Sequence, residues 1–270
     1  MAGSQSNVGK TSSSTLSFEG KVAIVTGGGT GVGRATAQLL ARRGCAVVIN
    51  YSRSKDDAYE SAKSVEEEGG KSLVVQANVA DDADCRRLIQ ETVNRFGGID
   101  ILVNNAGTTR FIEHDNLEDV TRDDWKDIFS VNVVGLFQCV RAAQSHLAKR
   151  QGQIVNVASI AGLTGQGSSI PYCASKAAVI NMTQSFARAL APDIRVNAVA
   201  PGFITGRWLE QGLGEHYEAV RKGWEARAPM HRVSDPIDVA EAIMGVIDGS
   251  RMTTGQTVVC DGGMLLGPLR

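Results

Sequence analysis

Tyr172 and Lys176 stand four residues apart, and Ser159 lies 13 residues before the tyrosine. An i, i+4 spacing puts tyrosine and lysine on one face of a helix. A phenol normally ionises near pH 10, too high for rapid proton exchange at neutral pH. A neighbouring ammonium favours the phenolate, so the spacing predicts a tyrosine whose pKa is drawn down. The Ser159 hydroxyl can donate a hydrogen bond to an oxygen held beside that phenol. The chemistry is proton transfer at oxygen, as a carbonyl requires when a hydride reduces it. Each residue also has a plainer role. A helical tyrosine usually packs an amphipathic face. Asn132, inside a long helical segment upstream, reads equally as a polar residue that distorts its helix.

A second constellation is Thr26-Gly27-Gly28-Gly29-Thr30-Gly31-Val32-Gly33. It follows the apolar run Val22-Ala23-Ile24-Val25 and opens a segment with Val32, Ala35, Leu39 and Leu40 at helical spacing, ending at Gly44. Glycines there permit a tight turn and let backbone N–H groups approach a pyrophosphate at the positive end of a helix dipole. A bare glycine-rich turn is the plainer alternative. Near the N-terminus, Gly9-Lys10-Thr11 imitates the end of a phosphate-binding P-loop, but Gly3 is one residue too far away. No strand leads into it and no apolar helix follows, so it carries no phosphate site.

Elements that would position these residues alternate along the chain. Strands are predicted at Val47–Ile49, Leu73–Val75, Ile101–Val103, Ile154–Val157, Arg195–Val199 and Thr257–Val259. Between them, Ser54-Lys55-Asp56-Asp57 looks like a capping box opening a helix to about Glu68. Helices follow at 82–96, from Thr121 to about Lys149, from about Tyr172 to Leu190, and from Pro236. Strands apolar throughout and alternating with helices imply a parallel sheet covered on both faces. The expectation is an α/β fold: a single doubly wound domain of seven parallel strands, residues 18–270, behind a mobile Ser-rich arm, residues 1–17. Ligands should lie at the carboxyl ends of the strands. A substrate lid is expected near 206–228, where Trp208, Leu209, Leu213, Tyr217 and Trp224 either line a substrate or pack the lid onto the body.

Of 270 residues, 30 are glycine, above the usual share of about 7 %. The 28 basic and 29 acidic residues are mixed along the chain, so neither a nucleic-acid surface nor a membrane partner is indicated. No run of about 18 apolar residues exists. Cys45, Cys85, Cys139, Cys173 and Cys260 are widely spaced, as expected of reduced thiols in a cytoplasmic protein. Cys173, beside Tyr172, reads as a packing residue. His114, His146, His216 and His231 have no metal-ligand spacing, and the chemistry needs no metal.

Thr26 to Gly33, Asn104-Asn105-Ala106-Gly107, Asn132, Ser159, Tyr172-x-x-x-Lys176, Pro201-Gly202 and Asp261-Gly262-Gly263 stand in an order that resembles the short-chain dehydrogenase/reductase family over residues 19–263. Thr109-Arg110 adds a likeness to its 3-oxoacyl-carrier-protein reductases, although Phe111 to His114 departs from them. The resemblance implies a Rossmann-type fold and a catalytic set of Asn132, Ser159, Tyr172 and Lys176. Lys176 would also hold the nicotinamide ribose, and Asn132 a water that relays protons. The cofactor would meet Gly27, Thr30, Gly31, Val32 and Gly33; Asn50, Tyr51, Ser52 and Arg53; Asn78 and Val79; Asn105, Ala106 and Gly107; Tyr172 and Lys176; and Pro201, Gly202, Ile204 and Thr205.

Tyr51 replaces the aspartate that the family's NAD enzymes usually carry. Ser52 and Arg53 can bond a 2′-phosphate, which favours NADP(H), with NAD(H) left open. Two departures bear on the cofactor. Asn78 stands where the family usually has aspartate near the adenine. Gly206 stands where it usually has threonine, while Thr205 is one residue early, so the nicotinamide carboxamide loses its customary hydroxyl. The broad apolar faces bearing Val133, Val134, Phe137, Val140 and Phe186 suggest a homotetramer or homodimer, as the family commonly forms.

An NADP(H)-dependent oxidoreductase acting on a carbonyl or secondary alcohol is therefore expected. The alternatives are a non-catalytic NADP-binding regulator on the same fold and an NAD-preferring sugar, steroid or alcohol dehydrogenase. The intact set of four favours an enzyme, because a binding protein has no need of an activated tyrosine.

Overall fold

A computed structural model describes residues 17–267 of the chain, so the expected N-terminal arm, apart from Ser17, and the P-loop imitation lie outside the described residues. The strands are β1 (Val22–Val25), β2 (Ala46–Tyr51), β3 (Lys71–Gln76), β4 (Ile101–Asn104), β5 (Gln153–Val157), β6 (Arg195–Pro201) and β7 (Thr257–Cys260). They form one seven-stranded sheet in the order β3-β2-β1-β4-β5-β6-β7. Every pairing is parallel. Alternate side chains feed two cores. Ala23, Val25, Val47, Ile49 and Val103 face α1 (Gly31–Arg42), α2 (Lys55–Glu67) and α10 (Pro236–Asp248). Ile24, Val48, Leu102 and Ile154 face α3 (Asp82–Phe96), α5 (Leu136–Ala148) and α7 (Ile170–Leu190). Burial on both faces is why these strands carry no polar alternation. The strand order reverses between β1 and β4, where the loops diverge and open a crevice.

Several local expectations change. The helix expected from Thr121 to Lys149 is three pieces: α4 (Arg122–Phe129), a π turn (Ser130–Gly135) and α5. At its start Thr121 and Asp124 form a reciprocal capping box. The box expected at Ser54 does not form: Ser54 precedes α2 without a side-chain cap bond. The Asp57 carboxylate is instead drawn to Arg207, at 2.8 Å. A short helix missed by periodicity, α6 (Ala161–Thr164), follows Ser159, and α7 begins before Tyr172 because Ser169 caps it. The 206–228 segment folds as α8 (Arg207–Leu213) and α9 (Tyr217–Arg227). Val140, expected on an unpartnered apolar face, is buried in the core against the sheet.

At the opposite end of the sheet, buried Asp100 ties the strand starts together. It accepts from Lys21 Nζ at 2.9 Å, the Val22 N–H at 3.0 Å and Arg150 at 3.0 Å. Only the carboxylate is buried: Lys21 and Arg150 keep 48 % and 31 % of their side-chain surface exposed, so removing Asp100 strands chiefly the Val22 N–H. Asp100→Ala should lower stability by about 1–3 kcal/mol in urea unfolding, with the ligand end of the sheet unaltered.

Candidate active site

The crevice is framed by two loops that hold each other. The Thr26 Oγ1 accepts from the N–H groups of Asn105 and Ala106, both at 3.0 Å. Asn105 Nδ2 returns the bond to the carbonyls of Thr26 (2.9 Å) and Gly27 (3.1 Å). Gly33 comes so close to Gly27 that a Cβ there would stand 2.2 Å from the Gly27 oxygen. That contact closes the turn onto the first turn of α1. Asn50 braces the same turn: its Oδ1 accepts from Gly27 N at 3.4 Å while its Nδ2 donates to Ala77 O at 2.8 Å. Thr30 precedes α1 with no side-chain cap bond. A glycine cradle at a helix N-terminus, with this open hydroxyl, fits a dinucleotide pyrophosphate.

At the adenosine end, Ser52 and Arg53 are exposed. The Arg53 guanidinium makes no hydrogen bond or ion pair with another described residue. Tyr51 is packed in the core beneath α1 and α2. Asn78 is exposed, but its Oδ1 accepts from Ala80 N at 3.2 Å. Its amide donors and the second lone pair of its oxygen remain for an adenine. Val79 is buried, its carbonyl taken by Gln138 Nε2 at 2.8 Å and Cys85 Sγ at 3.2 Å.

The four expected catalytic residues come from three parts of the chain. Asn132 sits in the π turn, Ser159 follows β5, and Tyr172 and Lys176 lie one turn apart on α7. Asn132 is buried; its Oδ1 accepts from Thr108 N at 2.8 Å, and its Nδ2 donates to Thr108 O and Ser175 Oγ, both at 3.0 Å. A carbon added to Gly107 would lie 3.5 Å from Asn132 Oδ1 and 3.7 Å from Lys176 Nζ, so both groups converge on the loop after β4. Lys176 is buried, and its Nζ donates to the Val157 carbonyl at 2.8 Å. That nitrogen lies over the Tyr172 ring, 5.7 Å from its centroid.

This geometry reverses the expected effect on the tyrosine. Tyr172 keeps part of its surface exposed, but the protein crowding it pushes the phenol up to about 12, against a lesser opposing hydrogen bond with Ser159. Burial also draws the Lys176 ammonium down to about 8. The i, i+4 spacing is realised, yet desolvation disfavours the charged form of both groups. Cys173 beside them is buried, and burial raises its thiol too.

After β6, Pro201 and Gly202 continue from the sheet: the Pro201 carbonyl accepts from Ile160 N, and Gly202 N donates to Cys260 O. Ile204 bridges to Ser234, and the Thr205 hydroxyl donates to Asp235. Gly206 has φ of +119° and caps α8, a backbone that strains any side chain, so a threonine is excluded there by conformation. In the lid, Tyr217 and Trp224 pack on Phe203, with centroids 5.8 Å and 5.9 Å from it, which is the packing alternative. Leu209 and Leu213 are half-buried. Trp208 reaches Tyr172, with ring centroids 6.5 Å apart. Thr26 stood in the glycine motif without a role of its own, and Thr108 and Ser175 were missed; Thr108 acts through its backbone and had no sequence signal.

A family model described as enoyl-(acyl carrier protein) reductase matches residues 27–265. The 3-oxoacyl-(acyl-carrier-protein) reductase FabG of Staphylococcus aureus is 38 % identical over 250 residues, covering 91 % of this chain and 98 % of that one. The solved structure of NAD+-bound xylitol dehydrogenase matches with a TM-score of 0.84 at 29 % identity, covering 91 % of this chain and 99 % of the other. That of levodione reductase matches at 0.85 and 28 %, over 91 % and 98 %. With this fold and this crevice, the chain belongs to the short-chain dehydrogenase/reductase family, whose members are oxidoreductases acting on carbonyl and hydroxyl groups.

The buried lysine has a signature independent of turnover. Its folded pKa of about 8 lies below the unfolded value of 10.5. Between these values the unfolded chain binds more protons, so this group's contribution makes stability rise with pH. The urea midpoint of the wild type should therefore climb relative to that of Lys176→Met between pH 8 and pH 10. A constant difference would contradict the desolvation.

Proposed function

We propose that the protein is an NADP(H)-dependent oxidoreductase that interconverts a ketone and a secondary alcohol, with Tyr172 as the acid and base. The observation that carries this reading is the convergence of Asn132 and Lys176 on Gly107, with Lys176 Nζ over the Tyr172 ring, 5.7 Å from its centroid. The turn from Gly27 to Gly33 would hold the pyrophosphate, Lys176 and Tyr172 the nicotinamide ribose, and Gly202 would lie under the ring. Ser52 and Arg53 would hold the 2′-phosphate. The Arg53 guanidinium, exposed and without a hydrogen bond or ion pair among the described residues, supports that specificity. When bound, the nicotinamide supplies or accepts the hydride.

Ser159 fixes the substrate oxygen by donating a hydrogen bond, and Tyr172 gives that oxygen its proton as the carbonyl becomes an alcohol. With the phenol held near 12, the acid form is complete at neutral pH, which suits reduction. The reverse reaction needs the phenolate, whose share rises about tenfold per pH unit below the pKa. Lys176, near 8, is placed to return the proton. Asn132 spends its side-chain oxygen on Thr108. The relay water would therefore rest on a main-chain carbonyl, which a π turn leaves without its α-helical partner.

The 18–270 segment would act as one catalytic domain with its lid at 206–228, in the cytoplasm. The exposed Val134 and Phe137, with Phe137 stacked on Phe186 at 6.1 Å, supply an apolar face for a homo-oligomer. Among the described residues, no helix is long and apolar enough to cross a membrane.

Tyr172→Phe should lower NADPH-dependent ketone reduction by about 10³-fold or more while NADPH affinity stays within about threefold. Near-normal turnover would remove Tyr172 as the acid. Arg53→Ala should weaken NADPH binding at least about tenfold, the size of a lost charge-assisted hydrogen bond, and leave NADH binding unaltered. Fluorescence titration of both nucleotides measures this, and a wild type that prefers NADH would overturn the 2′-phosphate assignment.

A further inference from the structure

Trp208 lies in the first turn of α8, two residues after Gly206. Its indole stands edge-on to the Tyr172 ring, with planes 74° apart. A carbon added at Gly107 would meet Trp208 Cη2 at 3.7 Å, the same distance as Lys176 Nζ. The indole therefore walls the recess in which the reacting oxygen must sit. Unlike Tyr217 and Trp224, which spend their rings on Phe203, Trp208 keeps 47 % of its surface exposed.

Three contacts hold this indole in place. Gly206 supplies the left-handed backbone from which α8 starts. At the next residue, Arg207 Nη2 reaches Asp57 Oδ2 on α2 at 2.8 Å, a strut from lid to cofactor-side helix. At the far end of α8, Gly212 sits so tightly on Phe111 that a Cβ would stand 2.0 Å from its ring. An aromatic face presented on a fixed support recognises another flat group through offset or edge contacts, with centroids about 4.5–7 Å apart.

We infer that Trp208 sets the substrate choice of this enzyme, selecting ketones that carry a planar apolar group directly on the reacting carbonyl. Arg207 and Asp57 are positioning residues that hold the indole for it. The inference rests on the ketone–alcohol reading above. An aryl group attached to the carbonyl covers the exposed indole face while its oxygen reaches Tyr172 and Ser159. An open chain of the same carbon number covers less of that face and loses more rotational freedom when it does.

The test compares acetophenone and 2-octanone, equal in carbon number, as substrates of the NADPH-loaded full-length protein. The wild type should favour acetophenone. Trp208→Ala should lower kcat/KM for acetophenone about tenfold, mainly through KM, and that for 2-octanone by no more than about twofold. Trp208→Phe should keep most of the preference. Asp57→Asn and Arg207→Gln should shift the ratio in the same direction by up to about fivefold, the span of an exposed ion pair. Equal losses for both ketones, or none, would overturn the inference. A second readout does not need turnover. In protein saturated with NADP+, acetophenone should quench tryptophan emission in the wild type and do so markedly less in Trp208→Phe; identical quenching in both would also overturn it. Quenching that depends on Trp208 without reduction of either ketone would leave the indole's role standing and remove the reductase reading.

Discussion

The site depends on one reciprocal set of hydrogen bonds, between the loop that leaves β1 and the loop that leaves β4. These strands flank the point where the sheet's winding reverses, so their loops diverge beyond the last paired residues, Val25 and Val103. Thr26 accepts two backbone N–H groups from the second loop, and Asn105 donates back to two carbonyls of the first. The Gly27 and Gly28 N–H groups are bonded to Asn50, and those that open α1 are left for an anion. The same bonds set where Gly107 lies, and Gly107 is the point on which Asn132, Lys176 and Trp208 converge. Disturbing the lock would misplace the cofactor cradle and the proton-transfer groups together.

Around that lock, burial rather than charge pairing sets the electrostatics. Lys176 is inside the protein with one carbonyl for a partner, and its ammonium is destabilised. Tyr172 is held as a neutral acid for the same reason. The two groups would interact strongly once either ionised, because few other dipoles screen them. An arrangement of this kind keeps the tyrosine competent as a proton donor and makes its conversion to a base depend on what binds next to it.

Arg207 and Trp208 are neighbours in α8, yet one reaches Asp57 on α2 and the other Tyr172 on α7, so α8 links the two sides of the crevice. Gly206 makes that possible, since its backbone angle is closed to the threonine common at this position in the family. The customary hydroxyl is not recovered from Thr205, which is bonded to Asp235. The departure noticed in the chain as a missing contact is, in three dimensions, the backbone from which α8 starts.

Local patterns in the chain were enough for the alternation of apolar strands and helices, the bounds of β1 and α3, the helix start at Thr121, the glycine turn and the shared face of Tyr172 and Lys176. Each depends on residues within a few positions of one another, where periodicity and turn chemistry operate. What long-range contacts decided is different in kind. They broke the helix carrying Asn132 with a π turn, drew Asp57 away from a cap and onto α8, and raised the tyrosine pKa that spacing predicted to fall. Spacing places two side chains on one face. The energy of a charge on that face depends on how much protein surrounds it, and segments distant in sequence supply that protein.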